Sequence, residues 1–386
     1  MLKIKIVHII ENLHFGGAQR FVIDLCNEVA KADKYDVYII SLCENNTENS
    51  FIEDIDTRVT YISLRKGKGI SCTALYILTS WLKNERPHIV HSHLNAFEYL
   101  FFYRLYETRT SFFHTIHKPV EAECSNSLIK RLRTSAYRSN QVIPISVSHH
   151  GSRGFRENYK LYNDVIIQLG RTDLSITPAQ LDLHARYTAS GSYLMVHVGN
   201  ITDDKNQQLL LKAIQLYNIS AKRKCKLLII GEVKDKPLFE ELTDAIKGDQ
   251  NIEIIGPQGN VADYLSIADG FCLSSSAEGL PISLIEAMSL GCIPICTSVG
   301  GIKEIIVDGL TGFLSKGLDV VSYSNAIKRA LDFDGREGIK DNVKKLYHKK
   351  FQIKISALNH LNSYNKALNL FEGRDNAFEL LYKSKM

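Results

Sequence analysis

The sequence has one tryptophan, four methionines and eight prolines among 386 residues, and it has no long apolar run. The densest stretch, 99–103, falls far short of the ~18–20 apolar residues that span a bilayer. The N-terminus alternates Lys3 and Lys5 with isoleucines, which excludes a signal-peptide core. Neither charge sign dominates: 47 Lys+Arg against 42 Asp+Glu leave +5. That balance is too dilute to argue for nucleic acid. The eight cysteines (Cys26, Cys43, Cys72, Cys124, Cys225, Cys272, Cys292, Cys296) include no CxxC pair. They read as reduced, buried thiols of a cytosolic protein, without the tight Cys/His pairing that a zinc site needs. No short repeat or low-complexity tract is present.

What is present is ordinary globular composition, 45% hydrophobic and 23% charged, which excludes disordered, collagen-like and disulfide-scaffold classes. The length suggests two domains. Strand and helix patterns alternate from residue 3 to 146: strands at 3–10, 36–42, 59–62, 88–91, 111–116 and 141–146, helices at 19–32, 74–84, 96–106 and 128–138. A polar stretch at 170–192 reads as a linker. Alternation restarts at 193, with strands at 193–198, 226–230, 252–255, 270–273 and 293–296 and a late edge element at 313–314. Such alternation implies parallel sheets with helices on both faces. The expected fold class is therefore α/β with two doubly wound Rossmann-like domains. Their expected bounds are 1–175 and 190–360, with a final helix at about 366–386 returning to the first domain.

Three motifs carry chemistry. Gly16-Gly17 follows the first strand and opens a helix; glycine lets backbone amides approach a ligand, and a helix N-terminus favours phosphate. A tight turn would use the same pair, and the string is not GxGxxG, so a nicotinamide enzyme loses support. Lys205 stands in the loop from Gly199 and Asn200 to the next helix, where a lysine can pair with a diphosphate leaving group. Glu278 and Glu286 bracket seven residues that include Gly279, Leu280, Pro281, Ile282 and Ser283. Gly279 and Pro281 open a helix whose first N–H groups lack intrahelical partners. One carboxylate can reach sugar hydroxyls and the other a ribose diol, while the helix N-terminus faces phosphate.

That string, continued by Gly291 to Ile295, Gly300 to Ile306 and Thr311 to Phe313, resembles the family-four retaining glycosyltransferases with GT-B architecture. The resemblance runs from residue 4 to about 315 and is strongest in the second half. It implies two domains facing a central cleft, with the acceptor on the first domain and the donor on the second. It implies transfer of a hexosyl group from a nucleotide-diphosphate sugar, UDP by preference, to a hydroxyl acceptor, with retention by same-face displacement. It further implies roles: Gly16 and Gly17 under the donor phosphate or sugar, Lys205 on the diphosphate, Glu278 on sugar hydroxyls, Glu286 on ribose. The amides of Leu280 to Ser283 complete the phosphate cradle, and Gly256 and Gln258 flank the nucleobase. His117 matches a histidine kept near the transferred sugar. The resemblance implies neither metal nor cofactor. Asn200 departs from it, because family members carry a second cation there, an arginine. The segment from Leu169 to Asp173 departs from the usual Asn-Gly-Val-Asp-like lead into the linker.

Other features carry less. His91 and His93 flank a strand end, and His149-His150 reads as a polar turn. Asp54-Ile55-Asp56 imitates a DxD metal motif but sits in an acidic loop. Residues 128–160 hold seven Lys/Arg (130, 131, 133, 138, 153, 156, 160) against Glu157. That surface suits an anionic membrane or a polyprenyl-diphosphate-linked acceptor. The expectation is a cytoplasmic enzyme of surface polysaccharide or glycolipid synthesis, peripheral at the inner membrane face. A non-catalytic nucleotide-sugar-binding subunit and a GT-B nucleotide-sugar epimerase are the alternatives.

Overall fold

The computed structural model describes residues 3–45, 50–67, 69–107, 109–123, 126–188 and 191–368. The chain divides into two compact units, Met1–Thr172 with Gln352–Met386, and Asp173–Phe351. Both are built on wholly parallel sheets, as the alternation predicts.

The first unit contains β1 (Ile4–Ile10), α1 (Gly17–Val29), β2 (Tyr35–Cys43), β3 (Val59–Lys66), α2 (Cys72–Glu85), β4 (Ile89–His93), α3 (Tyr103–Tyr106), β5 (Ser111–Ile116), α4 (Val120–Glu123), α5 (Ser127–Arg138), β6 (Val142–Ser146), α6 (His149–Tyr159) and β7 (Val165–Ile166). The strand order is β3-β2-β1-β4-β5-β6-β7. The last five residues of β1 are all buried, the pattern of a strand covered on both faces. Helix ends follow local chemistry. Ser71 accepts from Ala74 N at the start of α2, which ends at left-handed Arg86 before Pro87, and Asn126 caps α5 through Leu128 N and Ile129 N.

Sheet register decides which side chains meet. His8 pairs with His91, and His93 lies two residues further along β4, so all three share one face. His114 pairs with Ser92 and takes the opposite face.

The second unit contains α7 (Ala179–Thr188), β8 (Tyr193–Val198), α8 (Gln207–Ser220), β9 (Cys225–Ile230), α9 (Lys236–Ala245), β10 (Ile252–Gly256), α10 (Val261–Ile267), β11 (Gly270–Leu273), α11 (Ile282–Ser289), β12 (Pro294–Thr297), α12 (Ile302–Ile305), β13 (Phe313–Ser315), α13 (Val320–Asp332) and α14 (Arg336–Lys350). Its strand order is β10-β9-β8-β11-β12-β13. In both sheets the order reverses direction beside the first strand, at β1/β4 and β8/β11. Ligands of open α/β sheets bind outside the strands' carboxyl ends at that point.

Several expectations need correction. Residues 96–106 form no single helix: a 3₁₀ segment, Leu94–Leu100, precedes α3. Leu94 has φ 53, and Phe97, Leu100 and Tyr103, spaced by three, are buried, a spacing that 3₁₀ geometry aligns. The expected linker holds α7, whose Tyr187 is buried. The thiols are not uniformly buried: Cys72 is exposed and Cys43 half-buried, while Cys124 lies outside the described residues. The final helix α15 (Ile353–Ala367) already belongs to the first unit. Of the expected 366–386 segment, residues 369–386 lie outside the described residues. Among the described residues no helix is long and apolar enough to cross a membrane.

Candidate functional site

In the second unit, the loops after β8 and β11 meet. The β8 loop closes through a 3₁₀ turn, Asp203–Lys205, and left-handed Asn206 (φ 50) starts α8. This turn carries the Lys205 ammonium to within 2.5 Å of Glu278 Oε1. The same oxygen accepts a 2.7 Å bond from Ser275 Oγ, and Thr297 Oγ1 donates to the Ser275 carbonyl at 2.6 Å. Ser274 Oγ donates to the carbonyls of Lys205 (2.9 Å) and Asn206 (3.0 Å), and Ser276 N donates to Asp204 O. Ser274 and Ser276 thus tie one loop to the other, while Ser275 between them holds Glu278. Glu278 is 8% exposed, so its charge needs the lysine and the hydroxyl.

The backbone behind Glu278 tolerates no side chain at Gly300. Its φ is +51, and a Cβ would stand 1.8 Å from the Glu278 carbonyl oxygen. Just beyond Glu278, α11 begins at Pro281 with no side-chain cap. Its first N–H groups therefore offer an anion site. Gly279 and Leu280 lie on the approach to it, and Ile282 and Ser283 are its first residues. Glu286 is buried within α11.

Asn200 is a clamp: its Oδ1 accepts from Glu232 N at 3.2 Å, and its carbonyl accepts from Gln207 Nε2 at 2.9 Å. His197, under the same loop, bonds the Cys272 carbonyl and is held near pKa about 4 chiefly by burial, so it is neutral. Gly256 ends β10 with φ +71, and Gln258 bonds the Ile255 carbonyl and the Tyr264 hydroxyl. The carboxyl ends of β8, β10 and β11 therefore gather Lys205, Asn200, Gly256, Gln258, Glu278 and the start of α11 in one unit.

The first unit holds the remaining candidates. Gly16 precedes α1 without a side-chain cap, and Gly17 is its first residue. His117 follows β5, with Nε2 3.1 Å from His93 Nδ1. Burial draws its pKa down to about 4, opposed by the Glu123 charge. Glu123 Oε2 accepts from the backbone N–H of His117 (2.9 Å) and Lys118 (3.2 Å), while Oε1 meets His114 and Arg133. His91, between Thr115 and the Tyr364 hydroxyl (2.7 and 2.6 Å), is a structural tie to α15.

The basic segment is smaller than its sequence suggests. Arg133 is 2% exposed and bonds Glu98 and Glu123. A cation on a helix otherwise amphipathic gives no warning of this. The exposed remainder includes Arg131 and Arg138, which line a surface depression of about 480 Å³ with Thr134, Ser135 and Ser139. Both DxD-like carboxylates are held by arginines, Asp54 by Arg20 and Asp56 by Arg58, whose hydrogen bonds bring Asp56 down to about 2.

Sequence reasoning missed Ser275, His8, the close approach of Gly300 to Glu278 and the positioning of His117. A serine three residues before a loop glutamate was a usable signal for the first. The others depend on register and on loops distant in sequence.

Residues 15–167 match the family described as Glycosyltransferase Family 4, and residues 182–346 match Glycosyl transferases group 1. The chain is 27% identical over 160 residues to N-acetyl-alpha-D-glucosaminyl L-malate synthase of Bacillus anthracis, covering 41% of this chain and 42% of that relative. It is 24% identical over 355 residues to the GalNAc-alpha-(1->4)-GalNAc-alpha-(1->3)-diNAcBac-PP-undecaprenol alpha-1,4-N-acetyl-D-galactosaminyltransferase of Campylobacter jejuni, covering 88% and 92% of the two chains. The fold matches Anabaena Alr3699/HepE, solved in complex with UDP and glucose, at TM-score 0.79 and 14% identity over 94% of this chain and 100% of that one.

Proposed function

The chain belongs to the family-four glycosyltransferases of the GT-B type, and from that premise we propose that it moves a hexosyl group from a UDP-sugar to a hydroxyl acceptor with retention. The observation that carries this reading is the Lys205–Glu278 pair beside the uncapped start of α11. A cation, a carboxylate and free N–H groups in one place suit a sugar diphosphate: the cation and amides take phosphate oxygens, the carboxylate takes hydroxyls.

On this reading Lys205 and the backbone N–H groups of Leu280, Ile282 and Ser283 stabilise the charge that develops on the leaving diphosphate. Glu278 orients the sugar, Glu286 holds the ribose diol, and Gly256 and Gln258 border the base. Asn200 shapes the loop and adds no cation. Gly16 and Gly17 approach the donor, and His117 bonds a hydroxyl of the sugar or acceptor. The acceptor attacks from the face the diphosphate leaves, and a departing phosphate oxygen takes its proton. The reaction uses no metal. The C. jejuni relative's name specifies an undecaprenyl-diphosphate acceptor, and Arg131 and Arg138 offer two guanidiniums to such a group or to an anionic membrane surface. Surface polysaccharide or glycolipid synthesis at the inner face of the membrane is the setting this fits.

The test is a thermal-shift screen over nucleotide sugars, followed by turnover with a polyprenyl-diphosphate sugar. Stabilisation by UDP-sugars and anomer-retaining product are expected. Binding without transfer would instead mark a nucleotide-sugar-binding subunit, and donor isomerisation without acceptor would mark an epimerase.

A further inference from the structure

His8, His93 and His117 are joined end to end. His8 Nδ1 lies 3.0 Å from His93 Nε2, and His93 Nδ1 lies 3.1 Å from His117 Nε2. The nitrogens at the two ends, His8 Nε2 and His117 Nδ1, are buried and have no hydrogen-bond partner among the described residues. A buried nitrogen in that condition marks a place where a partner belongs.

We propose that His93, backed by His8, is a positioning residue that locks the tautomer of His117 to its own and leaves His117 Nδ1 as the nitrogen that meets a ligand hydroxyl. The proposal rests on the reading that His117 touches the sugar or the acceptor.

A neutral imidazole carries one N–H and one bare nitrogen. Two internal bonds therefore force the three rings to agree. Either every Nδ1 is protonated, or every Nε2 is; any mixture sets two N–H groups or two lone pairs against each other in a buried place. In the first state His117 Nδ1 donates, and in the second it is a bare acceptor. A hydroxyl that donates to Nδ1 selects the second state throughout the chain. Burial is the main cause of neutrality: it pulls His8 to about 3, His117 to about 4 and His93 well below 6.5, and protonation of the neighbouring His91, His114 or His360 would oppose a further charge; Glu123, bonded to the His117 backbone N–H, acts the other way. The Tyr364 hydroxyl is committed to His91.

The same cluster does not suit a metal. Nitrogens of His8, His91 and His93 lie within 4.8 Å of one another, but both His91 nitrogens are engaged by Tyr364 and Thr115, and His8 Nδ1 and both His93 nitrogens are taken by the bonds that join the three rings.

The test is two-bond ¹H–¹⁵N spectroscopy of the full chain labelled at histidine, recorded without donor or acceptor. His8, His93 and His117 should be neutral from pH 6 to 8 and share one tautomer. His93→Leu should change the His117 nitrogen shifts, and His93→Asn, whose amide can replace the Nδ1 edge, should restore them. Transfer should fall roughly five- to tenfold in His93→Leu, the worth of one hydrogen bond, and recover in His93→Asn. Mixed tautomers in the unsubstituted protein, or a His117 ring titrating near 6.5, overturn the proposal even if His93→Leu does not fold. Because the spectra need no turnover, a failed relay and a failed transferase reading are distinguishable.

Discussion

Lys205 and Glu278 neutralise each other across 73 residues, and Ser275 shares the same carboxylate oxygen. On the proposed reading, a diphosphate that recruits the lysine shares it with Glu278, and sugar hydroxyls that donate to the glutamate compensate the charge the lysine no longer covers, so that donor headgroup and sugar would be coupled through one ion pair.

Lys205→Ala should reduce transfer by the equivalent of ~2–4 kcal/mol of transition-state stabilisation. It also strands a buried carboxylate, so Tm should fall. Initial rates with a UDP-sugar check the first part; turnover like that of the unsubstituted enzyme would remove Lys205 from the mechanism.

Ser275→Ala deletes one bond to Glu278 and leaves the lysine in place. Transfer should weaken by about 1 kcal/mol, with UDP affinity unchanged, since the bond orients the group assigned to the sugar. Calorimetry with UDP beside steady-state kinetics separates the two; a loss confined to UDP binding refutes it.

Glu286→Ala should weaken binding of UDP itself by about 1.5–3 kcal/mol, the worth of a charge-assisted hydrogen bond. Titration calorimetry with UDP decides it, and unchanged affinity removes the ribose assignment.

Acid should unfold the first unit before the second. Burial depresses six histidines of the first unit (His8, His91, His93, His114, His117, His360) and one of the second, His197. A depressed histidine stays neutral when folded and protonates when unfolded. Its contribution is therefore complete above about 6.5 and is lost as pH falls toward its folded value, at up to about 1.4 kcal/mol per pH unit per group. Urea midpoints followed by hydrogen exchange between pH 7 and 4.5 should show the first unit falling faster. Equal slopes would show that the histidines are not held neutral.

The parallel sheets and the β8 and β11 loops were legible because strand-length apolar runs, glycines and the spacing of Glu278 and Glu286 are local signals. Ser275 was missed because its task appears only once the fold sets Lys205 against Glu278, whose carboxylate oxygen the serine shares. The relay was not legible. His8, His93 and His117 come from three parts of the chain, and only register brings the first two to one face. Arg133 counted as surface charge because its partners, Glu98 and Glu123, come from other elements. The 3₁₀ segment at Leu94–Leu100 was hidden because its spacing of three also occurs in an α-helix.

The return of the chain at Gln352 has a consequence for biosynthesis. The first unit is begun first and completed last: Gly170 packs against the backbone of Gln352 and Ile353, and His91 waits for Tyr364. On the ribosome the whole of Asp173–Phe351 emerges while the first sheet still lacks its last helix, with His91 short of its tyrosine. A nascent chain paused before residue 352 would expose the α1 face that α15 covers, and a chaperone would find its target there.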